Sequence, residues 1–291
     1  MRYKYILLSV LFIILTSEIN SQGTSMQSGS FQKDNKLFIN VSISPENTGI
    51  LLNISENSLK DVRESWKMKI SGSIEVGYML SQNFGFSSGL RYSHFSTAFS
   101  LDAYNDEIHS VDSDLDNYIR IITGENINET EKISTLGIPL IFNMQTSPGE
   151  KFIIFFNPGI EVAIPVSKSY ESTGTFSYKG YYPSYYITVE NAGLEGFLDG
   201  QEVKSSGNLD LKSLFPEITA NAGIQFKTGE KSRILFGINY KKAIADISGS
   251  SELNNFDLST ESQKINSLSG GSDKVSSSSI GLTIGLRYYI R

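Results

Sequence analysis

His94 and His109 are the two imidazoles available to this chain, and it has no cysteine. A hydrolytic site needs a neutral imidazole placed beside a serine or an aspartate, so that a proton can move near neutral pH. His94 falls in phase with a row of alternating apolar residues, and His109 lies in an acidic stretch with Glu107, Asp112 and Asp114. Neither adjoins a recognisable nucleophile motif. No catalytic residue is assigned, and the chain is expected not to be an enzyme. Without cysteine there is no disulfide, no thiolate nucleophile, no Cys-containing zinc site and no lipid-bearing cysteine.

Three other groups of residues have chemistry to offer. Asp112-Ser113-Asp114-Leu115-Asp116-Asn117 begins like a calcium loop, with oxygen ligands at alternate positions. Asn117 stands where that loop needs glycine and Thr123 where it needs the bidentate glutamate, so a solvated acidic loop is expected and no metal or cofactor is assigned. Phe176, Tyr178, Tyr181, Tyr182, Tyr185 and Tyr186 fall among Gly, Ser, Lys and Pro. Tyrosine mixed with glycine and serine makes adaptable contact surfaces, which makes this stretch the candidate recognition surface; the plainer alternative is aromatics packing on one another or at headgroups. Last come Glu75, Arg91, Glu161, Glu217 and Arg287, each opposite an apolar row, which form a candidate internal ion-pair network.

The elements that must position these residues are strands. From Trp66 to Leu80 every second residue is apolar or small, and Lys67, Lys69, Ser71, Ser73 and Glu75 fall between them. That is the period of a strand with two unlike faces. Phe84, Phe86, Leu90 and Tyr92 repeat the pattern after Ser81-Gln82-Asn83, which predicts a hairpin. Leu136 to Met144 and Phe152 to Val166 flank the turn at Ser147-Pro148-Gly149-Glu150. Leu214 to Phe226 and Ile234 to Tyr240 flank Thr228-Gly229-Glu230-Lys231. Leu37 to Ile43 and Ile280 to Ile290 complete a set of about eight strands. Short turns alternate with long polar connections near 45–65, 99–132, 168–211 and 246–275.

This arrangement predicts an all-β fold, an antiparallel up-and-down transmembrane β-barrel. A strand in hydrocarbon must pair both edges, so only a closed barrel crosses, apolar side outward. The polar residues opposite the apolar rows are too numerous for a dry interior. Aromatics and Met beside the short turns (Tyr78, Phe84, Phe86, Met144, Phe152, Phe226, Tyr288) fit an interfacial girdle. Residues 1–21 read as a signal peptide, with Arg2 and Lys4 before an apolar run from Tyr5 to Leu15, and residues 22–35 as a polar periplasmic leader. Residues 36–291 would be the barrel, with its long loops facing outward. The net charge of −6 is mild and no Lys/Arg cluster is interleaved with aromatics, which argues against nucleic acid as a partner.

The chain resembles the outer-membrane β-barrel domains of Bacteroidota, of the PorT-like type. The likeness lies in Gly77–Tyr92 (GYMLSQNFGFSSGLRY), Thr135–Leu140 (TLGIPL), Asn157-Pro158-Gly159 and Ile284–Tyr289 (IGLRYY). It implies residence in the cell outer membrane, with membrane lipid and the barrel-insertion machinery as partners. It also implies that Ile284, Leu286, Tyr288 and Ile290 form the terminal insertion signal, although Arg291 stands where an aromatic is usual. No single activity follows from it. The expected function is a non-enzymatic barrel whose loops contact a surface ligand or an envelope protein. The alternatives are a narrow conduit or accessory subunit of a transport or secretion assembly, and a secreted soluble β-domain binding a small apolar ligand.

Overall fold

The computed structural model describes residues 36–54, 59, 61–147, 151–193, 196–249 and 265–290. The expected signal peptide, the leader and much of the last long loop lie outside the described residues. Ten strands follow in order: β1 (Leu37–Asn53), β2 (Arg63–Met79), β3 (Phe84–Val111), β4 (Asn117–Thr146), β5 (Phe152–Tyr182), β6 (Ile187–Val189), β7 (Leu198–Gly207), β8 (Phe215–Lys227), β9 (Ser232–Ala243) and β10 (Lys274–Ile290). Eight of them, β1 to β5 with β8 to β10, form one antiparallel ring that closes where β10 pairs β1, from Leu37 opposite Ile290 to Asn53 opposite Lys274. β6 and β7 stand outside the ring and pair the far half of β5. The eight-stranded expectation therefore holds for the ring.

The outward rows are apolar over one band. Met68, Ile70, Ile74, Leu90, Ile138, Ile160, Ile238 and Leu282 are all exposed, Met68 at 78%. A continuous apolar belt of this kind is intolerable in water and is what the hydrocarbon of a bilayer covers. Rings cluster near the short turns, with Phe86 and Phe142 5.1 Å apart and Phe226 and Phe236 6.0 Å apart.

Strand length departs from the expectation. The stretch expected as a loop over 99–132 is mostly β3 and β4, paired from Phe84 opposite Met144 to Val111 opposite Asn117. The 168–211 stretch is likewise largely β5 and β7. The cause is an inversion of phase along each strand. Within the belt the inward row of β3 is polar or small (Ser87, Gly89, Arg91, Ser93). Further along the same row it becomes Phe95, Thr97, Phe99 and Leu101, all buried, while the outward row turns to the half-buried Ala98 and Ser100. On β4 and β5 the same happens across bulges next to Ser134 and Thr135. Above the bilayer the outside is wet, so the ordinary rule of apolar inside returns. The paired strands continue beyond Ser93 for roughly 60 Å along the strand direction, at about 3.3 Å per residue.

Candidate functional site

Within the belt, the lumen holds the charges. Arg91 lies between two carboxylates, 3.4 Å from Glu75 and 3.1 Å from Glu161. Lys241 of β9 stands 3.6 Å from Glu217 and donates to Ser93 Oγ. Glu46 of β1 accepts hydrogen bonds from Ser71 at 3.0 Å and from Asn239. Four of the five expected network residues thus occur as paired charges. Arg287 does not join them; it donates to Asn143 Oδ1 at 2.9 Å and lies 4.1 Å from the centre of the Phe38 ring. Register separates them: Arg287 sits opposite Asn40 and Arg233, and Glu75, one strand beyond Asn40 at that level, is paired with Arg91. Glu46 and Lys241 went unassigned in the sequence. Lys241 falls in the inward phase of β9, a signal that was available, whereas Glu46 lies beyond the apolar run of β1.

Both ends of the lumen are filled. Phe38, Met79 and Tyr289 form a small cluster at the periplasmic end. Above the belt the interior packs Phe95, Phe99, Tyr104, Ile122, Phe176 and Tyr178 into one core. A 3-10 turn, Leu268–Gly271, is bound against this core by two buried glutamates on β4. Glu129 Oε1 accepts the Leu268 N–H at 2.8 Å, and Glu131 Oε1 accepts the Ser269 N–H at 3.2 Å. Burial, with the neighbouring Glu131 carboxylate beside it, pushes the Glu129 carboxyl well above the usual range, and burial also raises Glu131.

The tyrosine-rich stretch divides. Phe176 and Tyr178 are fully buried and belong to the core of the extension; Tyr181 and Tyr182 are half-buried, with Tyr182 stacked on Tyr118 at 5.3 Å. Tyr185 and Tyr186 are exposed, Tyr186 at 87%. They share the tip with Val111, Leu115 and Ile187 of neighbouring chain segments, and Leu115 is 81% exposed. The Tyr185 hydroxyl donates to Asp116 at 3.1 Å, which ties the two turns together. Leu115 and Tyr186 both hold the left-handed backbone conformation, at φ 69° and 55°, a position that costs a non-glycine residue energy. The expected recognition surface is therefore smaller than six residues on one loop, and it is completed by the β3–β4 turn. That turn is the calcium-like run, in which Asp112 Oδ1 accepts the N–H groups of Asp114 and Asp116, both at 2.9 Å.

No protein-family model matches the chain, and no curated protein matches it. Solved structures give loose likenesses. Neisserial surface protein A (NspA) is 9% identical, with a TM-score of 0.35 over 87% of this chain and 97% of the other. OprG from Pseudomonas aeruginosa is 12% identical, with a TM-score of 0.31 over 89% and 97%. Ail, the attachment invasion locus protein of Yersinia pestis, is 11% identical, with a TM-score of 0.26 over 88% and 99%. The architecture is that of an outer-membrane β-barrel. It stands on the closed ring, the apolar belt and the polar lumen of this chain. A soluble β-domain is overturned by the belt, which water would not tolerate.

The barrel's histidines sit apart from one another. His94 Nδ1 lies 2.8 Å from Ser134 Oγ on the outer wall, a pair that sequence spacing did not reveal. The charges acting on it come from Lys69 and Lys132. His109 borders an open recess with Tyr118 and Pro183 near the tip. Among the described residues, no three His, Asp or Glu side chains are grouped to hold a metal ion. The expected insertion row faces outward on β10, with Ile284, Leu286 and Tyr288 exposed in the belt and Ile290 half-buried.

Proposed function

We propose that this outer-membrane barrel is a non-enzymatic display scaffold: the eight-stranded ring anchors a stiff β-extension whose tip contacts a surface ligand or an envelope protein. The observation that carries the reading is the tip itself. Large apolar side chains at Leu115, Tyr185, Tyr186 and Ile187 are held out in water at the far end of paired strands with their own buried core. Scattered exposed hydrophobics need no explanation, but a group at the summit of an ordered extension marks a contact surface. Its surroundings are acidic, with Asp112, Asp114, Asp116 and Glu190 nearby in sequence, which favours a partner of complementary charge. Membership in the PorT-like barrels of Bacteroidota, membrane lipid and the insertion machinery as partners, and β10 as the insertion signal belong to this reading.

The filled ends of the lumen support scaffold over conduit, because an eight-stranded barrel is only wide enough to be packed by its own side chains. The test is site-specific photo-crosslinking on intact cells. A crosslinker at Tyr186 is expected to trap a discrete adduct, and one at the buried Tyr178 none. Adducts at neither position, or turnover and ion conductance by the purified barrel, would overturn the proposal.

A further inference from the structure

The three long strands of the extension are not covered alike. β4 is flanked by β3 and β5 over most of its length. The outer edge of β5 is closed by the chain's own β7 and β6, from Tyr170 opposite Gly207 to Tyr182 opposite Ile187. The outer edge of β3 is bare. β2 leaves it where Arg63 stands opposite Ser100, and from Ala103 to Val111 no described residue pairs with β3 on that side.

The turn at the top of β3 fixes the direction of its backbone groups. Asp112 gives its N–H to the Asp116 carbonyl at 3.0 Å, so in this part of β3 the even-numbered residues bond across to β4. The N–H and C=O groups of Asn105, Glu107, His109 and Val111 are then aimed at the bare edge. Glu107 shows the want of a strand there: its N–H is taken at 2.8 Å by the carboxylate of the preceding residue, Asp106. A row of such groups is a template for an added strand, and natural edges are commonly blunted by Lys, Pro or a covering segment. Ala103–Val111 contains neither Lys nor Pro.

We propose that this edge is a docking site for an extended, basic segment of a partner protein, which adds to β3 as one more antiparallel strand. Charge selects that occupant. Between Tyr92 and Ile119 there is no Lys or Arg, while Asp106, Glu107, Asp112, Asp114 and Asp116 lie on the edge or in the turn above it. Asp102, lower down, already has Arg63. A second copy of this chain pairing through the same edge would bring acid against acid, which selects against it. The two faces of the sheet add a pattern. Glu107 and His109 are exposed on the outer face, whereas Ile108 packs against the core of the extension on the inner one. An added strand suits both when Lys or Arg on its outer face alternates with apolar residues on its inner face. The edge lies below the apolar tip and goes beyond the contact proposed there.

The experiment titrates the full barrel, in nonionic detergent at physiological ionic strength, into a short fluorescent peptide that alternates lysine with valine, and reads its anisotropy. The lysine peptide is expected to bind, and one alternating glutamate with valine is not. In antiparallel register the lysine N–H groups face β3, so methylating those nitrogens should weaken binding about tenfold, while methylating the valine nitrogens leaves it unchanged. The two methylated peptides carry the same charge, which separates strand addition from attraction to an acidic surface. Asn105→Pro removes a donor at the edge and none shared with β4, and should give a similar loss; Glu107→Lys should give a larger one. Each variant is first shown to give the heat-modifiable band of a closed barrel. No binding of the lysine peptide, equal binding of the two methylated forms, or full affinity in Asn105→Pro would overturn the proposal. So would a dimer of the wild-type barrel that Asn105→Pro dissociates, because the edge would then belong to a second copy. The peptide comparison needs no variant and does not involve Tyr186, so this proposal and the tip contact fail separately.

Discussion

Lys241→Met removes the one cation paired with Glu217 while keeping most of the volume and apolar length of the side chain. Lys241 and Glu217 are both almost fully buried and stand 3.6 Å apart. The ammonium also lies 4.8 Å from the centre of the Phe95 ring, where a thioether would pack without loss. The cost therefore falls on Glu217, which keeps the Ser277 hydroxyl, donating at 2.9 Å, and to a lesser degree on the buried Ser93 hydroxyl, which loses its donor. Breaking a buried pair by removing one partner typically costs about 3–5 kcal/mol, which lowers the folding equilibrium constant by roughly a hundredfold to several thousandfold. The assay is equilibrium urea unfolding of the barrel in lipid or detergent, scored by the heat-modifiable band.

Glu217→Gln in the Lys241→Met background neutralises the orphaned carboxylate and should recover most of the loss. The coupling then appears as a double variant far more stable than the sum of the two single losses would allow. If Lys241→Met unfolds at the wild-type urea concentration, or if the two losses simply add, the buried pair is not what this part of the lumen depends on.

Three further outcomes follow from particular contacts. The Leu268–Gly271 turn should loosen as pH rises. Burial, with the Glu131 carboxylate beside it, raises the Glu129 carboxyl, so the stability it contributes is present at low pH and is lost as pH rises through the raised value. Facing that pair are Phe99 and Thr97 of β3, Ser172 and Tyr170 of β5, and Leu268 and Ser269 of the turn. A single cysteine at Leu268, read by thiol labelling relative to one at the exposed Ser113, should become more reactive as pH rises, and Glu129→Gln should abolish that rise. Gly223→Val should strain the β8–β9 pairing, because a Cβ there would meet the Phe236 carbonyl oxygen at 2.0 Å and Gly237 Cα at 2.5 Å. A loss of about 3 kcal/mol in urea unfolding is expected, against no change for Gly193→Ala, where nothing lies within 4 Å. Leu115→Gly should stabilise its turn by about 1 kcal/mol by relieving the left-handed conformation, yet weaken crosslinking at Tyr186; unchanged crosslinking would remove Leu115 from the contact surface.

The ring was legible because a bilayer imposes the strongest pattern a strand can show. Ile70, Ile74 and Val76 alternate with Lys69, Ser71, Ser73 and Glu75, and the turns at Ser81 to Asn83 and Thr228 to Lys231 punctuate the rows. The extension was not legible, because Phe95, Phe99 and Leu101 continue the inward row that Ser87 and Arg91 had established as polar. A reader following apolar residues sees the row break at Tyr92 and infers a loop. Phe176 and Tyr178 were misplaced for the same reason: outside the bilayer, aromatic residues at alternate positions belong to the interior. Arg287 was misassigned because alternation assigns a face and leaves the partners along the wall unspecified; only the register shows that it faces Asn40 and Arg233, with Glu75 one strand further on and taken by Arg91.

The height at which the phase inverts also bears on what the protein does. A barrel that only anchored itself would end its strands near the outer headgroups, where Tyr92 and Ser134 lie. β3 and β4 continue for longer than their bilayer-spanning parts and β5 for about the same length, and they use it to build a second core, with Tyr170 and Ser205 both donating to the Ile265 carbonyl, at 2.8 and 2.9 Å. Ordering that much backbone costs roughly 1–2 kcal/mol per residue, which buried apolar contact must offset. A long loop could expose Tyr186 without that investment. The rigid alternative makes sense where the contact at the tip has to be presented at a fixed distance from the membrane, with little entropy left to lose on binding.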